Sequence, residues 1–200
     1  MTPVDAIPNR RQALLAACLW SVAGRWPSMA TASTADDEEK AAWLALRDGG
    51  IALLRHADAP GYGDPPGFSF TDCSTQRNLG EVGRAQAIRI GERFRQQTVK
   101  VGKVLASQWC RTTDTAQAAF PGRVEPAAVF NSLFQDRSRA NPQTDMARAL
   151  LLAWNGPSAL VVVTHQVNIT ALCDIVPASG EGVVLRRVGQ ELRLVGRIRP

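Results

Sequence analysis

Residues 159–164 read Ala-Leu-Val-Val-Val-Thr, and this segment decides the fold. Its apolar run shows no alternation with polar side chains, which is typical of a strand buried on both faces of a sheet. Residues 51–54 (IALL) and 103–106 (KVLA) are shorter runs of the same kind, and residues 127–130 (AAVF) are expected to form a further short strand. These runs predict the centre of a mainly parallel sheet.

Helical segments lie between the predicted strands, and most are bounded by acids, glycines or prolines that are typical of helix termini. They cover residues 36–46, 80–97, 112–120, 141–154 and 168–175. Residues 182–187 and 191–198 are expected to form a closing hairpin. The alternation of strands and helices predicts an α/β fold, a three-layer α/β/α sandwich with a mainly parallel central sheet.

Length, composition and charge restrict the function classes. A chain of 200 residues with 45% hydrophobic and 20% charged residues is an ordinary globular protein of one domain. Its formal net charge of +5 comes without the Lys/Arg-rich runs of a dedicated nucleic-acid-binding protein. We therefore expect no nucleic-acid partner, whereas a small anionic substrate fits the charge.

The first 32 residues resemble an export signal. Asn9-Arg10-Arg11-Gln12 resembles a twin-arginine motif, residues 13–24 form a short apolar run, and Ala30-Thr31-Ala32 is a small-x-small cleavage site. The run is too short to cross a bilayer, which takes about 20 helical residues. We expect a periplasmic or secreted protein that begins near Ser33, with no stable membrane insertion after processing. The alternatives are a cytoplasmic protein with an ordinary N-terminal helix, and a lipoprotein anchored at Cys18.

Basic and imidazole side chains follow the predicted strands at their carboxyl ends. Arg55 and His56 come directly after residues 51–54, and His165 comes directly after residues 159–164. Arg111 follows the strand at 103–106 and opens a helix, whose free backbone N–H groups favour an anion. Because ligands of open α/β sheets bind at the carboxyl ends of the strands, we expect these four side chains to meet.

Four motifs, in order along the chain, resemble those of the histidine phosphatase superfamily, also called the phosphoglycerate mutase-like superfamily. Arg55-His56 resembles its Arg-His-Gly signature, and Ser107-x-x-x-Arg111-x-x-x-Thr115-Ala116 resembles its second motif. Val163-Thr164-His165 resembles the third motif, and residues 78–87 (NLGEVGRAQA) resemble the start of the helix between the first two. The resemblance implies that residues 33–200 form one histidine phosphatase-like catalytic domain.

The resemblance also implies phosphoryl transfer through a phosphohistidine. His56 would attack phosphorus, while Arg55, Arg111 and His165 would hold the phosphate oxygens, with His165 as the second catalytic histidine. Arginine forks match phosphate oxygens, and nearby guanidinium groups disfavour protonation of the nucleophile. We expect hydrolysis of a small phosphomonoester without a metal or other cofactor. The alternatives are a phosphomutase and a degenerate phosphate-binding module without turnover.

The motifs leave the general acid unassigned. Residues 130–136 (FNSLFQD) contain no glutamate where many members carry their proton donor. Gln166 stands where another branch has an aspartate, and glutamine cannot donate a usable proton. The candidate acids are Asp136 and Asp58, with Asp72 and Glu181 as further alternatives. The further residues expected to line the pocket are Arg77, Asn78, Ser107, Gln166 and Asn168.

The chain has four cysteines, of which Cys18 falls within the predicted signal. In an oxidising periplasm a bridge between Cys73 and Cys110 is expected, which leaves Cys173 free. The alternative is three buried thiols. The sequence has no C-x-x-C pair that would indicate zinc.

Overall fold

The computed structural model describes residues 35–136, 138 and 140–199, so the predicted export signal lies outside the described residues. The helices are α1 (Ala35–Arg47), α2 (Glu81–Gln96), α3 (Cys110–Ala119), α4 (Ala140–Ala153) and α5 (Gln166–Cys173). The strands are β1 (Ile51–Arg55), β2 (Val101–Ala106), β3 (Val124–Pro126), β4 (Ala159–Thr164), β5 (Gly182–Val188) and β6 (Glu191–Ile198). Within these ranges no helix combines the length and the hydropathy that crossing a membrane requires.

The strands of the described chain form one sheet in the order β3-β2-β4-β1-β5-β6. The first four strands are parallel to one another, and β5 and β6 add an antiparallel edge. In the centre, Ile51 of β1 lies opposite Leu160 of β4, and Arg55 lies opposite Thr164. The predicted α/β fold with a mainly parallel sheet is confirmed.

Alternate side chains of the central strands pack against helices on opposite faces. Ala52 and Leu54 of β1 belong to a core that also contains buried residues of α1, α2 and α3. Ile51 and Leu53 belong to a second core, built with residues of α4 and α5. Because both faces are covered by helices, the central strands are apolar on both sides and show no alternation.

The strand predicted at residues 127–130 is wrong. The strand in this region is β3, and Ala128–Phe130 forms a short 3-10 turn. Since β3 pairs only with β2, it is an edge strand, where the missing N–H of Pro126 is tolerated. Residues 127–130 are apolar because they contribute to the core and not because they form a strand. Phe130 is fully buried beneath α4 and α5.

Candidate active site

The two histidines lie side by side at the carboxyl edge of the sheet. His56 directly follows Arg55 on β1, and His165 directly follows Thr164 on β4, and these two strand residues are partners in the β1–β4 register. The imidazole centroids are 5.5 Å apart, and each residue is only 3% exposed. Pairing of two parallel strands therefore brings together residues that are far apart in the sequence.

The tautomer of His56 is fixed by its own neighbour in the chain. Its Nδ1 lies 2.8 Å from the carbonyl oxygen of Ala57, and a carbonyl can only accept a hydrogen bond, so Nδ1 carries the proton. Burial lowers the pKa of His56 to about 3, helped by the charges of Arg111 and Arg55, although the Ala57 hydrogen bond opposes the shift. The neutral ring then keeps an unprotonated Nε2 with a free lone pair.

His165 is held by the residues that open α3. Its Nε2 lies 2.8 Å from Oγ of Ser107, which is fully buried, and that hydroxyl also lies 3.3 Å from Oδ1 of Asn131. The ring of Trp109 packs edge-on against His165 at a centroid distance of 5.1 Å. Burial lowers the pKa of His165 well below its ordinary value, with further lowering from His56 and the nearby arginines. Both imidazoles are therefore neutral near pH 7.

Three arginines, Arg55, Arg77 and Arg111, line the same pocket as the histidines. Nη1 of Arg55 donates to the carbonyl of Pro177 at 2.9 Å, and Nε of Arg77 donates to the carbonyl of Gly63 at 2.9 Å. Arg111 lies in the first turn of α3. Burial lowers the pKa of Arg55 and of Arg77 from the ordinary value for arginine.

Two of these arginines keep an unused donor. Nε of Arg55 and Nε of Arg111 are buried and have no hydrogen-bond partner among the described residues. A buried donor left unpaired costs about 1–3 kcal/mol, so such groups call for an explanation. Both arginines line the pocket, and a cluster of guanidinium groups is what a site for an anion would present.

Asp64 is a pocket residue that the sequence analysis missed. Its Oδ1 lies 2.7 Å from Nη1 of Arg111, its Oδ2 lies 3.1 Å from Nη2, and Oδ2 also accepts from Nε1 of Trp109 at 3.0 Å. Burial alone would raise the pKa of Asp64, but the hydrogen bonds and charge of Arg111 outweigh it and lower that pKa. The available signal was an aspartate inside a loop rich in glycine and proline, residues 60–67.

The pocket has a volume of about 310 Å³. Of the other residues expected at the site, Asp58, Arg77 and Gln166 line it together with Arg55, His56, Arg111 and His165. The lining residues that the sequence analysis missed include Tyr62 and Phe134, which had no motif or periodicity to mark them.

The remaining predicted site residues are not among the lining residues and make supporting contacts. Ser107 holds His165, as described above. Asn168 is buried and donates to the carbonyl of Asn131 at 2.7 Å. Asn78 donates to the carbonyl of Cys73 at 2.6 Å. Asp136 is exposed, and its carboxylate accepts a hydrogen bond from the backbone N–H of Ser138 at 3.1 Å.

A disulfide joins Cys73 to Cys110, the residue that precedes Arg111. The side chain of Gln76 reinforces the link, because its Oε1 accepts from the N–H of Cys110 at 2.9 Å. Cys173 is a free cysteine, and burial raises the pKa of its thiol to about 11. Among the residues that the structure describes, no group of three or more His, Cys, Asp or Glu side chains is placed to hold a metal ion.

Comparison with known proteins gives structural neighbours only. No protein-family model matches the sequence, and no curated protein matches it. The phosphoserine phosphatase of Entamoeba histolytica, in complex with 3-phosphoglyceric acid, is 13% identical with a TM-score of 0.57 over 76% of this chain and 98% of that chain. The protein histidine phosphatase SixA complexed with tungstate is 14% identical with a TM-score of 0.55 over 74% of this chain and 96% of that chain.

A third neighbour is the mycobacterial glucosyl-3-phosphoglycerate phosphatase in complex with VO3. It is 16% identical, with a TM-score of 0.54 over 73% of this chain and 96% of that chain. At such identities the likeness concerns the fold alone, and all three neighbours are phosphatases. Together with the sheet order, they show that the chain has the histidine phosphatase fold.

Proposed function

We propose that the protein is a metal-independent phosphomonoesterase that forms a phosphohistidine on His56. The observation that carries this proposal is the conjunction of an unprotonated His56 Nε2 with three arginines around one pocket, two of which keep an unpaired Nε–H. A nucleophile with a lone pair and donors that lack a partner are complementary to the phosphorus and the oxygens of a phosphoryl group.

The first step forms a bond from Nε2 of His56 to phosphorus, while the ester P–O bond breaks and its electron pair leaves with the alcohol oxygen. In the second step, water oxygen attacks phosphorus and the P–N bond breaks, which returns the electron pair to Nε2. The attacking water loses a proton to solvent, and the released alkoxide takes one from solvent. The hydrogen bond from Nδ1 to the Ala57 carbonyl keeps the ring oriented in both steps. The phosphoryl oxygens carry negative charge, which is offset by Arg55, Arg77 and Arg111. His165 makes a further polar contact with these oxygens.

The pocket holds two carboxylates, Asp58 and Asp64, in the part of the chain that the structure describes. Asp64 is committed to Arg111, so it has no proton to give. Asp58 lies near Arg55 and Arg77. Its charge raises the pKa of both arginines and so opposes part of the lowering that burial causes. We infer that Asp58 acts on the charge of these two arginines and that the leaving oxygen departs without a dedicated proton donor.

The sequence supports a cellular setting for this activity. The features of residues 1–32 favour export, and we propose a periplasmic or secreted phosphatase on that basis. A disulfide next to the phosphate-binding arginine is compatible with an oxidising compartment.

Trapping of the phosphoenzyme tests the proposed function. The protein is incubated with a ³²P-labelled aryl phosphate and quenched with alkali, which preserves phosphohistidine. We expect label on the unmodified protein and none on His56→Ala, which should lose turnover while still binding inorganic phosphate. Full activity in His56→Ala would overturn the assignment.

The same assay separates the two alternatives. Movement of phosphate between positions of one substrate molecule, without release, would indicate a phosphomutase. Binding of inorganic phosphate with neither label nor release from any aryl ester would indicate a binding module.

A further inference from the structure

Two aromatic side chains, Tyr62 and Phe134, stand at the entrance of the pocket, and we call this pair the aromatic lip. Their rings meet edge to face, with centroids 5.1 Å apart and planes at 84°. The Tyr62 residue is 87% exposed, whereas His56 and His165 at the base of the pocket are buried. Both lip residues line the pocket that contains the three arginines. An aromatic pair beside a charged pocket, with Phe134 half-buried and Tyr62 exposed, is a surface that a ligand can cover.

The lip is tied to the groups that bind phosphate in the proposed function. Tyr62 lies between Gly61 and Gly63, whose φ angles of 92° and 67° fall in the left-handed region that favours glycine. The carbonyl of Gly63 accepts from Nε of Arg77, and the next residue, Asp64, binds Arg111. The two arginines therefore hold the loop backbone that carries Tyr62.

The second half of the lip is anchored from the other side of the pocket. Phe134 follows Leu133, whose backbone N–H donates to Oδ1 of the buried Asn168 at 3.4 Å. The Phe134 N–H itself donates to Oγ of Ser132 at 3.3 Å. Asn168 lies on α5, the helix that begins after His165, so the Phe134 segment is positioned by the same element as the second histidine.

The surface next to the lip is apolar. Val167 and Gln166 line the phosphate pocket and also a neighbouring hollow of about 280 Å³. Leu133, Ala140 and Ala171 line the rest of this hollow together with Thr170. The side of the pocket that continues toward Val167 therefore offers apolar contacts.

We propose that Tyr62, Phe134 and Val167 form a subsite for the leaving group, and that the substrates are phosphate esters with a flat apolar ring close to the ester oxygen. This inference rests on the proposed function. A ring in this subsite would stack on or against the lip while the phosphate reaches the arginines. A pocket of about 310 Å³ is at the lower end of the range for small organic ligands, which suits a single ring and a phosphate.

The chemistry of departure favours the same substrate class independently. Without a proton donor the leaving oxygen departs as an anion, and a phenol ionises near pH 10, far more readily than an aliphatic alcohol. Recognition of a ring and ease of bond cleavage thus point to aryl esters. The experiment must separate the two effects, because a fast reaction of an aryl ester alone would not demonstrate a subsite.

Binding of two phosphonates that cannot be hydrolysed isolates recognition from chemistry. Benzylphosphonate and methylphosphonate are titrated calorimetrically at a pH where both are dianions. We expect benzylphosphonate to bind roughly 3- to 10-fold more tightly, in line with one aromatic contact. In Tyr62→Ala this preference should fall toward one, and Tyr62→Phe should retain it, since the ring and not the hydroxyl makes the contact. Leu44→Ala, another exposed apolar position, serves as the matched control and should keep the preference.

The failure of the subsite and the failure of the proposed function give different results. Equal affinity for the two phosphonates in the unmodified protein, or an unchanged preference in Tyr62→Ala, overturns the subsite while leaving phosphate binding intact. If neither phosphonate nor inorganic phosphate binds, the proposed function and the subsite fail together. As a kinetic check, Tyr62→Ala should lower kcat/KM for 2-phenylethyl phosphate about 3- to 10-fold more than for ethyl phosphate, because both leave as alkoxides of similar basicity.

Discussion

Asp64 and Arg111 form a two-point ion pair inside the pocket, with both side chains about 95% buried. The Asp64 carboxylate accepts hydrogen bonds from Nη1 and Nη2 of Arg111, whereas Nε of Arg111 has no partner among the described residues. It also ties Trp109 to the pair, and the Trp109 ring packs on His165. We infer that Asp64 fixes the orientation of the Arg111 guanidinium at the phosphate pocket.

Replacement of Asp64 by asparagine should weaken phosphate binding. One charge-assisted hydrogen bond contributes about 1.5–3 kcal/mol, so Asp64→Asn is expected to raise the Kd for inorganic phosphate about tenfold or more. Calorimetric titration measures this effect. Asp48→Asn is the matched control, because it breaks the exposed ion pair with Arg186 and should leave the Kd unchanged. Tighter binding in Asp64→Asn would show that this carboxylate competes with phosphate for Arg111.

Folding stability should fall as the pH drops below about 6.5, the pKa of an unfolded-chain histidine. The pKa of His56 is about 3 in the folded protein and that of His165 is also lowered, so below pH 6.5 the unfolded chain binds protons that the folded chain does not. Each histidine then removes up to about 1.4 kcal/mol of unfolding free energy per pH unit.

Urea unfolding between about pH 7 and pH 5 checks this slope. His56→Gln should remove about half of it, since one of the two titrating imidazoles is gone. A free energy of unfolding that stays constant over this range would contradict the buried, neutral state of both rings.

The rate should depend steeply on the leaving group. A general acid contributes about 10²–10⁴-fold, so its absence should make aryl phosphates much better substrates than alkyl phosphates. Phosphoramidates, whose nitrogen leaves readily, should also react fast. A series of esters with increasing alcohol pKa measures the dependence, provided that formation of the phosphoenzyme limits the rate.

Asp58→Asn is the variant that tests the missing donor. We expect it to change the rates of alkyl and aryl esters by the same factor, with Asp136→Asn as the comparison at a carboxylate that does not line the pocket. A selective loss of alkyl phosphate activity in Asp58→Asn, or a flat leaving-group dependence in the unmodified enzyme, would show that a proton donor is present.

The Cys73–Cys110 disulfide should stabilise the protein and its phosphate site. It closes a loop with a sequence separation of 37 residues, for which the chain-entropy model gives about 3–4 kcal/mol. The double variant Cys73→Ser/Cys110→Ser should lose that much unfolding free energy and should bind phosphate more weakly, since Arg111 adjoins Cys110. Cys173→Ser is the control. Thiol titration of the protein from Ser33 onward in denaturant should find one reactive cysteine, whereas three would remove the disulfide.

Export predicts a processed N-terminus. Protein purified from the native host should begin near Ser33, and replacement of Arg10 and Arg11 by lysine should block transport by a twin-arginine route. N-terminal sequencing and fractionation of the cell measure both outcomes. A protein that begins at Met1 in the cytoplasm would refute the signal.

The strands and their terminal histidines could be predicted because an unbroken apolar run ends abruptly at a polar residue, as at Thr164 and His165. Most helix limits followed from acids, glycines and prolines. The edge strand β3 could not be found this way, because its sequence Val-Glu-Pro is short and contains no apolar run, and two of its three residues are exposed. Asp64 and Tyr62 were missed for another reason. The loop that carries both residues has no hydrophobic periodicity. Its position next to Arg111 depends on tertiary contacts with Arg77 and Arg111, which the sequence does not reveal.

The pairing of β1 with β4 has a consequence for how the protein loses activity. The two histidines directly follow β1 and β4, which pair only after a long intervening segment has folded. Both strands lie in the middle of the sheet. Local fraying at either edge of the sheet leaves the β1–β4 pair intact. Such fraying therefore cannot separate the two imidazoles. Amide protons of residues 51–55 and 159–164 should therefore exchange with solvent only through opening of the whole domain. Inactivation by heat or denaturant should follow that global opening, with no earlier inactive state.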